Sequence, residues 1–299
     1  MVAYDDVLFA SEETGETEPV SPEFNPEEYQ EQKQQERDRV YGMIDKTTLE
    51  LVDPNKLKEY LDIQARFNLY RPGNVLLIQA QLPKATRLKS YDDWKAAKAG
   101  VRKKERSLYI LKSGKQFTRD DGTIGQYTDI KKVFDISQTF SDQKVRPPVY
   151  PEGRALLKAL MNKSPVPAKA DESLPDNMGA FYNPEANVIH VRPGMNAPDI
   201  FRCLSVEMAH AEFARNMGSE YSRESAQFSA YCASYVLCRE YGVDVSVFTF
   251  NNAPGQFEGK DPKEIRTELN SIREAAGEIG SRIREALQRD RAPKEQEVR

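Results

Sequence analysis

The spacing of apolar positions divides the chain into a helical opening, a stranded middle and a second helical stretch. Residues 33–70 carry Leu49, Leu51, Leu57, Tyr60, Leu61, Ile63 and Phe67 at mixed three- and four-residue intervals, which predicts helix, with Asp53 as N-cap before Pro54 at the first helical position. Arg71-Pro72-Gly73-Asn74 interrupts the pattern, and residues 74–80 resume as a buried apolar helix ending near Pro83. Residues 88–97 read as a short helix around the single tryptophan, Trp94. Beyond Gly100 the period shortens to two: 107–111 and 127–135 read as strands, joined in a hairpin through Asp120-Asp121-Gly122. Pro147, Pro148 and Pro151 mark a linker. A helix near 152–162, a polar loop, a hairpin over 180–191 and a long helix from Pro198 to about Met217 follow. A helix over 223–241 stops at Gly242, and Ile265, Leu269, Ile272, Ala276, Ile279, Ile283 and Leu287 give 261–288 one apolar helical face.

The pattern predicts an α+β protein of two domains. An acidic disordered tail occupies 1–40, a helical and β-hairpin domain 41–142 and a linker 143–152. A mainly helical domain with a small antiparallel sheet follows over 153–288, and a second disordered tail over 289–299. Disorder at the start rests on composition: residues 1–32 hold ten Asp and Glu, no Lys or Arg, and three prolines.

Charge changes the picture in one place. The chain carries a formal net charge of −4, yet Lys84, Arg87, Lys89, Lys95, Lys98, Arg102, Lys103, Lys104, Arg106 and Lys112 face only Asp92, Asp93 and Glu105, a local excess of seven positive charges. Such a patch suits phosphate, because neutralising phosphates releases counterions. Tyr91, Trp94, Tyr109 and Phe117 are interleaved with the cations. Aromatic faces stack on unpaired bases while cations track the backbone, so the mixture favours single strands; a solvated basic face with core aromatics is the plainer reading. No run of about 18 apolar residues is present, which excludes a membrane-spanning helix. The acidic N-terminus lacks the features of a secretory signal, and Cys203, Cys232 and Cys238 lack metal- or redox-type spacing. A reduced, cytoplasmic protein is expected.

The second candidate site is Val206-Glu207-Met208-Ala209-His210. In the pattern H-E-x-x-H two histidines on one helix face hold a zinc ion, and the Glu activates bound water. Glu207 and His210 stand at the last two functional positions, and Val206 stands where the first ligand would be. The chain has only one other histidine, His190, to draw on.

Arg66-Phe67-Asn68-Leu69-Tyr70, Asn74-Val75-Leu76-Leu77-Ile78, Gln81-Leu82-Pro83-Lys84-Ala85-Thr86, Trp94, 101–106 and Val133-Phe134-Asp135-Ile136-Ser137-Gln138-Thr139 resemble the single-stranded-DNA-binding domain of ArdC-type antirestriction proteins. Tyr182-Asn183-Pro184, 189–194, 204–211, 234–238 and 242–244 resemble the zincin-like domain that follows it in that family. The resemblance covers about residues 45–285. It implies a DNA-binding protein of a mobile element or phage, with Arg66, Asn74, Lys84, Arg87, Lys89, Trp94, Arg102, Lys103, Lys104, Arg106 and Tyr109 as DNA-contacting residues. Single-stranded DNA is the expected partner, double-stranded DNA and a protein partner are further ones, and no membrane is involved.

This chain departs from the family at the metal helix. Val206 replaces the first His, and Ser229 and Tyr231 stand where the next helix would supply an acidic ligand. A catalytic zinc needs about three protein ligands. The expectation is therefore no cofactor, no catalytic residue beyond the remnants Glu207 and His210, and no enzyme activity. An active zinc peptidase with a rebuilt site and a pseudoenzyme that binds protein are the alternatives. The family's K-G-E-K turn is Lys103-Lys104-Glu105-Arg106 here, and a Lys at a left-handed position predicts a rebuilt turn.

Overall fold

The first helix, α1 (Pro26–Leu49), starts where Asn25 Oδ1 accepts the Glu27 N–H at 3.0 Å and two glutamates lie in the first turn. The computed structural model describes residues 25–118, 123–140 and 150–291. Residues 1–24 of the expected acidic tail, the hairpin turn at 120–122, linker residues 143–149, the side chain of Phe117 and residues 292–299 lie outside what it describes. Residues 26–40, expected to be disordered, are helical. Acidic residues suit a helix N-terminus, and Gln34 and Asp38 bond one turn apart at 2.7 Å.

The chain forms two compact units, one ending at Arg39 and one starting at Val40. Within the second, one buried core runs from Val40 to Ala286 rather than breaking between two domains. Helix α2 (Pro54–Arg66) is capped by Asp53, which accepts the Asn55 N–H at 2.7 Å, and buries Leu57, Tyr60, Leu61 and Ile63. Helix α3 (Pro72–Gln81) buries Val75 through Ile78. Strand β1 (Leu88–Lys89), helix α4 (Tyr91–Ala96), β2 (Leu108–Thr118) and β3 (Ile124–Asp135) follow. The sheet is antiparallel in the order β1-β3-β2. Leu88 and Lys89, expected to begin a helix, pair instead with Asp135 and Phe134, and the helix waits for its cap, Ser90.

The outer edge of β2 is closed by side-chain amides of α3. Asn74 accepts the Leu111 N–H at 2.6 Å and donates to the Leu111 carbonyl at 2.8 Å. Gln81 does the same to Tyr109, at 2.8 and 3.0 Å. Each amide presents the donor and acceptor of a missing neighbouring strand, so half-buried main-chain groups on this edge are paired.

The second half contributes α5 (Gly153–Met161), β4 (Ala168–Ala170), β5 (Ala180–Asn183), β6 (Val188–Val191), α6 (Ala197–Met217), α7 (Arg223–Tyr241), α8 (Ala253–Phe257) and α9 (Pro262–Arg291). Its sheet has the order β4-β6-β5, with β4 parallel to β6, so it is mixed rather than antiparallel. The three residues of β4 are too few to show a period of two. Helix α7 ends at Gly242, whose φ of +72° favours glycine; a β-carbon there would also strike the Tyr150 ring at 2.4 Å. Helices α2 and α7 meet along a polar seam. Asp62 accepts from Tyr235 Oη and pairs with Arg239, each at 2.7 Å, and Asn68 donates to Glu240 at 2.9 Å. No helix among the described residues is long and apolar enough to cross a membrane.

Asn74→Leu keeps the side chain's size and strands the Leu111 N–H and carbonyl. It is expected to cost about 1–3 kcal/mol of stability, read from urea unfolding. An unchanged midpoint would remove Asn74 from this role.

Candidate functional site

The basic segment is held by Asp135 and Gln138 at the end of β3. Asp135 is buried and accepts the N–H groups of Thr86, Arg87 and Ser137 at 2.7, 2.8 and 2.9 Å. Gln138 accepts the Asp135 N–H at 2.9 Å and donates to the Arg106 carbonyl at 2.8 Å. Its own carbonyl accepts the Arg102 N–H at 2.9 Å. One four-residue turn therefore pins both loops that carry the cations, the one at Lys84 and Arg87 and the one at Arg102–Arg106. Lys84, Arg87, Lys103, Lys104 and Arg106 are exposed on these loops. The 102–105 turn is not rebuilt: Lys104 occupies the left-handed region at φ +68°. The Arg102 side chain is partly spent, bonding Glu105 at 3.0 Å and the Ser137 carbonyl.

Several expected DNA contacts are placed differently. Trp94 is 2% exposed in a small core with Ala99 and Ile136, its indole N–H donates to the Phe134 carbonyl at 2.8 Å, and the Lys89 ammonium lies 5.0 Å over its ring. It is closed to a nucleobase. Asn74 is spent on β2. Arg66 donates to the Pro83 carbonyl and so fixes the turn that leads into the basic loop. Tyr109 is half-buried with Lys132 5.7 Å over its ring. Among the exposed aromatics are Tyr91 and Phe140, at 56% and 68%. Phe140 donates its N–H to the Gly100 carbonyl at 2.8 Å, which sets it beside the stretch between Lys98 and Lys103. Residue type alone could not separate Trp94 from Phe140; the bridge between Val101 and Thr139, which turns Phe140 outward, is a tertiary feature.

The second site lies between α6 and α7. Asn196 caps α6, accepting the Asp199 N–H at 2.9 Å, and the helix carries Glu207 and His210 into the interior. Both Glu207 oxygens are taken by the Arg223 guanidinium, at 2.7 and 2.8 Å, and one also accepts the Tyr182 N–H at 2.8 Å. Arg223 lies 4.8 Å over the Phe181 ring, and the carboxylate beside it holds its pKa above the ordinary value. His210 is fully buried between Gln227 Oε1, 3.2 Å from Nε2, and Tyr221 Oη, 3.1 Å from Nδ1. Because the Gln227 oxygen only accepts, the imidazole carries its proton on Nε2 and accepts from Tyr221 at Nδ1. Burial pulls its pKa below the ordinary value, and the Arg223 charge adds to this against Glu207 and Gln227.

These donors do not fit a metal ion as they stand. Both His210 nitrogens and both Glu207 oxygens are engaged, and Val206 offers nothing. Ser229 bonds Glu268 at 3.1 Å, and Tyr231 accepts the Thr249 N–H at 3.0 Å while packing on Phe248. His190 pairs with Asp171 at 2.8 Å. No group of three or more His, Cys, Asp or Glu is poised to share an ion among the described residues. Arg223 and Gln227, one helical turn apart on α7, were not singled out in the sequence. Their only signal is polar side chains at that spacing on a mostly buried helix.

Residues 27–142 match the family described as the N-terminal domain of anti-restriction factor ArdC. It is similar to the crystal structure of the antirestriction ArdC protein from plasmid R388 in its metal-free form. The identity is 18%, the TM-score 0.50, and the match covers 72% of this chain and 86% of that one. For the Mn(II)-bound form of the same protein the values are 19%, 0.50, 73% and 84%. At this identity the likeness speaks for the fold. A curated relative, the uncharacterized protein pXO2-81 of Bacillus anthracis, is 25% identical over 269 residues; the match takes in 72% of this chain and only 46% of that protein, so the chain spans about half its length. The Mn(II)-bound form corrects the expectation of no cofactor, because a protein of this fold takes up a divalent ion.

A histidine held below its unfolded pKa of about 6.5 contributes stability that is present above that pH and lost as pH falls through the lower folded value. Unfolding free energy should therefore drop on acidification below about 6.5 with a slope that His210→Gln reduces. Equal slopes for the two proteins would contradict a buried neutral imidazole.

Proposed function

We propose that this ArdC-type chain is a cytoplasmic DNA-binding accessory protein of a mobile element, acting against restriction, with a preference for single strands. The observation that carries the reading is the pair of cation-bearing loops pinned by Asp135 and Gln138, with Phe140 exposed beside them. Lys84, Arg87, Lys103, Lys104 and Arg106 are the phosphate contacts in this reading, and Phe140 and Tyr91 replace Trp94 as stacking faces. The plasmid origin of ArdC from R388 supports the mobile-element setting.

The reading is tested by fluorescence anisotropy with a labelled oligothymidylate. Affinity should fall steeply with salt, and Lys103→Ala with Lys104→Ala should lower the salt slope by about two, one per lost phosphate contact. Phe140→Ala should weaken single-strand binding by about 1–3 kcal/mol and duplex binding far less. Wild-type protein that binds no oligothymidylate at about 50 mM salt would end the proposal.

For the second half we propose a zincin-like fold without peptidase chemistry. A general base must be free to take a proton from water, and Glu207 is held on both oxygens by Arg223. Metal binding is carried to this chain from the Mn(II)-bound relative, and Arg223 is the residue that opposes it at Glu207. Arg223→Ala should therefore bind more Mn(II) than wild type by calorimetry, and His210→Ala in that background should abolish the gain. If Arg223→Ala leaves Mn(II) uptake unchanged, the guanidinium does not guard this position.

A further inference from the structure

Away from the pinned loops, a cavity of about 250 Å³ opens at the first turn of α3. Arg71, Lys112 and Arg266 line it from the start of α3, from β2 and from α9, and Tyr41, Gly73 and Thr128 are also in its wall. Among the described residues no carboxylate lines it. Arg266 is partly neutralised by Asp45. Arg71 is exposed and has no side-chain hydrogen bond or ion pair among the described residues.

The local chemistry favours an anion over a cation. Arg71 is the N-cap residue of α3 and gives no side-chain cap. The position favours Asn, Asp, Ser or Thr, and a cation there adds to the positive end of the helix dipole. The cations also meet in a concave space with hydroxyl donors from Ser113 and Thr128 and an apolar wall from Ile44 and Leu111. Cations and hydroxyls suit a phosphate, and the wall beside Tyr41 suits the flat face of a base or sugar. Lys112 is also the last cation of the basic segment in the sequence.

We infer that this cavity is a nucleotide subsite, seating one phosphate of a bound DNA strand on Arg71 and Lys112 with its sugar or base against Tyr41 and Leu111. The inference rests on the DNA-binding reading above and extends its footprint to the first turn of α3. Gly73 gives a variant that leaves the charges alone. A β-carbon there meets only ordinary contacts, 3.6 Å from Leu111 and 3.8 Å from Ile44, so Gly73→Leu is tolerated by the backbone and fills the cavity.

The test is anisotropy with a labelled oligothymidylate on full-length wild type, Arg71→Ala, Gly73→Leu and the Lys103→Ala, Lys104→Ala double variant, with circular dichroism to establish folding. The expected result is several-fold weaker binding for Arg71→Ala with a salt slope smaller by about one, and several-fold weaker binding for Gly73→Leu with the slope unchanged. Wild-type affinity in both Arg71→Ala and Gly73→Leu, while the double lysine variant is weakened, would overturn the subsite and leave the DNA-binding reading standing. A wild-type protein that fails to bind the strand at all would overturn both.

Discussion

The stranded half of this protein depends on side chains that imitate main chain. Strand β2 has a neighbour on one side only, and its outer N–H and carbonyl groups would be orphaned against α3. Asn74 and Gln81 answer them with an amide each. On the far side, Asp135 and Gln138 serve two loops that have no regular structure of their own. Four polar residues thus do for this small sheet what further strands would do in a larger one. Their geometric demands are strict, since a shorter or longer side chain misses its partner by more than hydrogen bonding tolerates.

This gives the recurring residues of the N-terminal motifs a physical meaning. Asn74, Gln81, Asp135 and Gln138 belong to the stretches by which the chain resembles ArdC, and each is absorbed in scaffolding. The cations they hold in place sit on the loops between them, and in the proposed reading a phosphate contact asks for charge and reach rather than fixed geometry. Lys104 shows the freedom and its limit. A lysine occupies a left-handed position better suited to glycine, at a strain of about 1 kcal/mol, and adds a positive charge in exchange.

Helices α2, α3, α7 and α9 were legible from periodicity because each buries a long apolar stretch, whereas the polar start of α1 and the five residues of α8 were not. Asp53, Pro54 and Gly242 acted at the helix ends as local chemistry dictates. The two-residue β1 and three-residue β4 were not legible, being too short to show a period. The candidate sites divided in the same way. Lys84, Arg87, Lys103, Lys104 and Arg106 stay exposed, as charge alone requires. Trp94 and Asn74 went inward, because an indole N–H and an amide find good partners inside the fold. Val206 could be read as a missing ligand from its type. The arginine that occupies Glu207 comes from another helix 16 residues away, and no local pattern announces it.

The seam between α2 and α7 bears on how the protein comes into being. Asp62 waits for Tyr235, which lies 173 residues further along the chain. At roughly 5–20 residues per second of synthesis, α2 spends about 10–35 seconds in the growing chain before its partner helix leaves the ribosome. Through that interval the face that later packs on α7 is bare to the cell. The first half thus completes its core only once the second has been made.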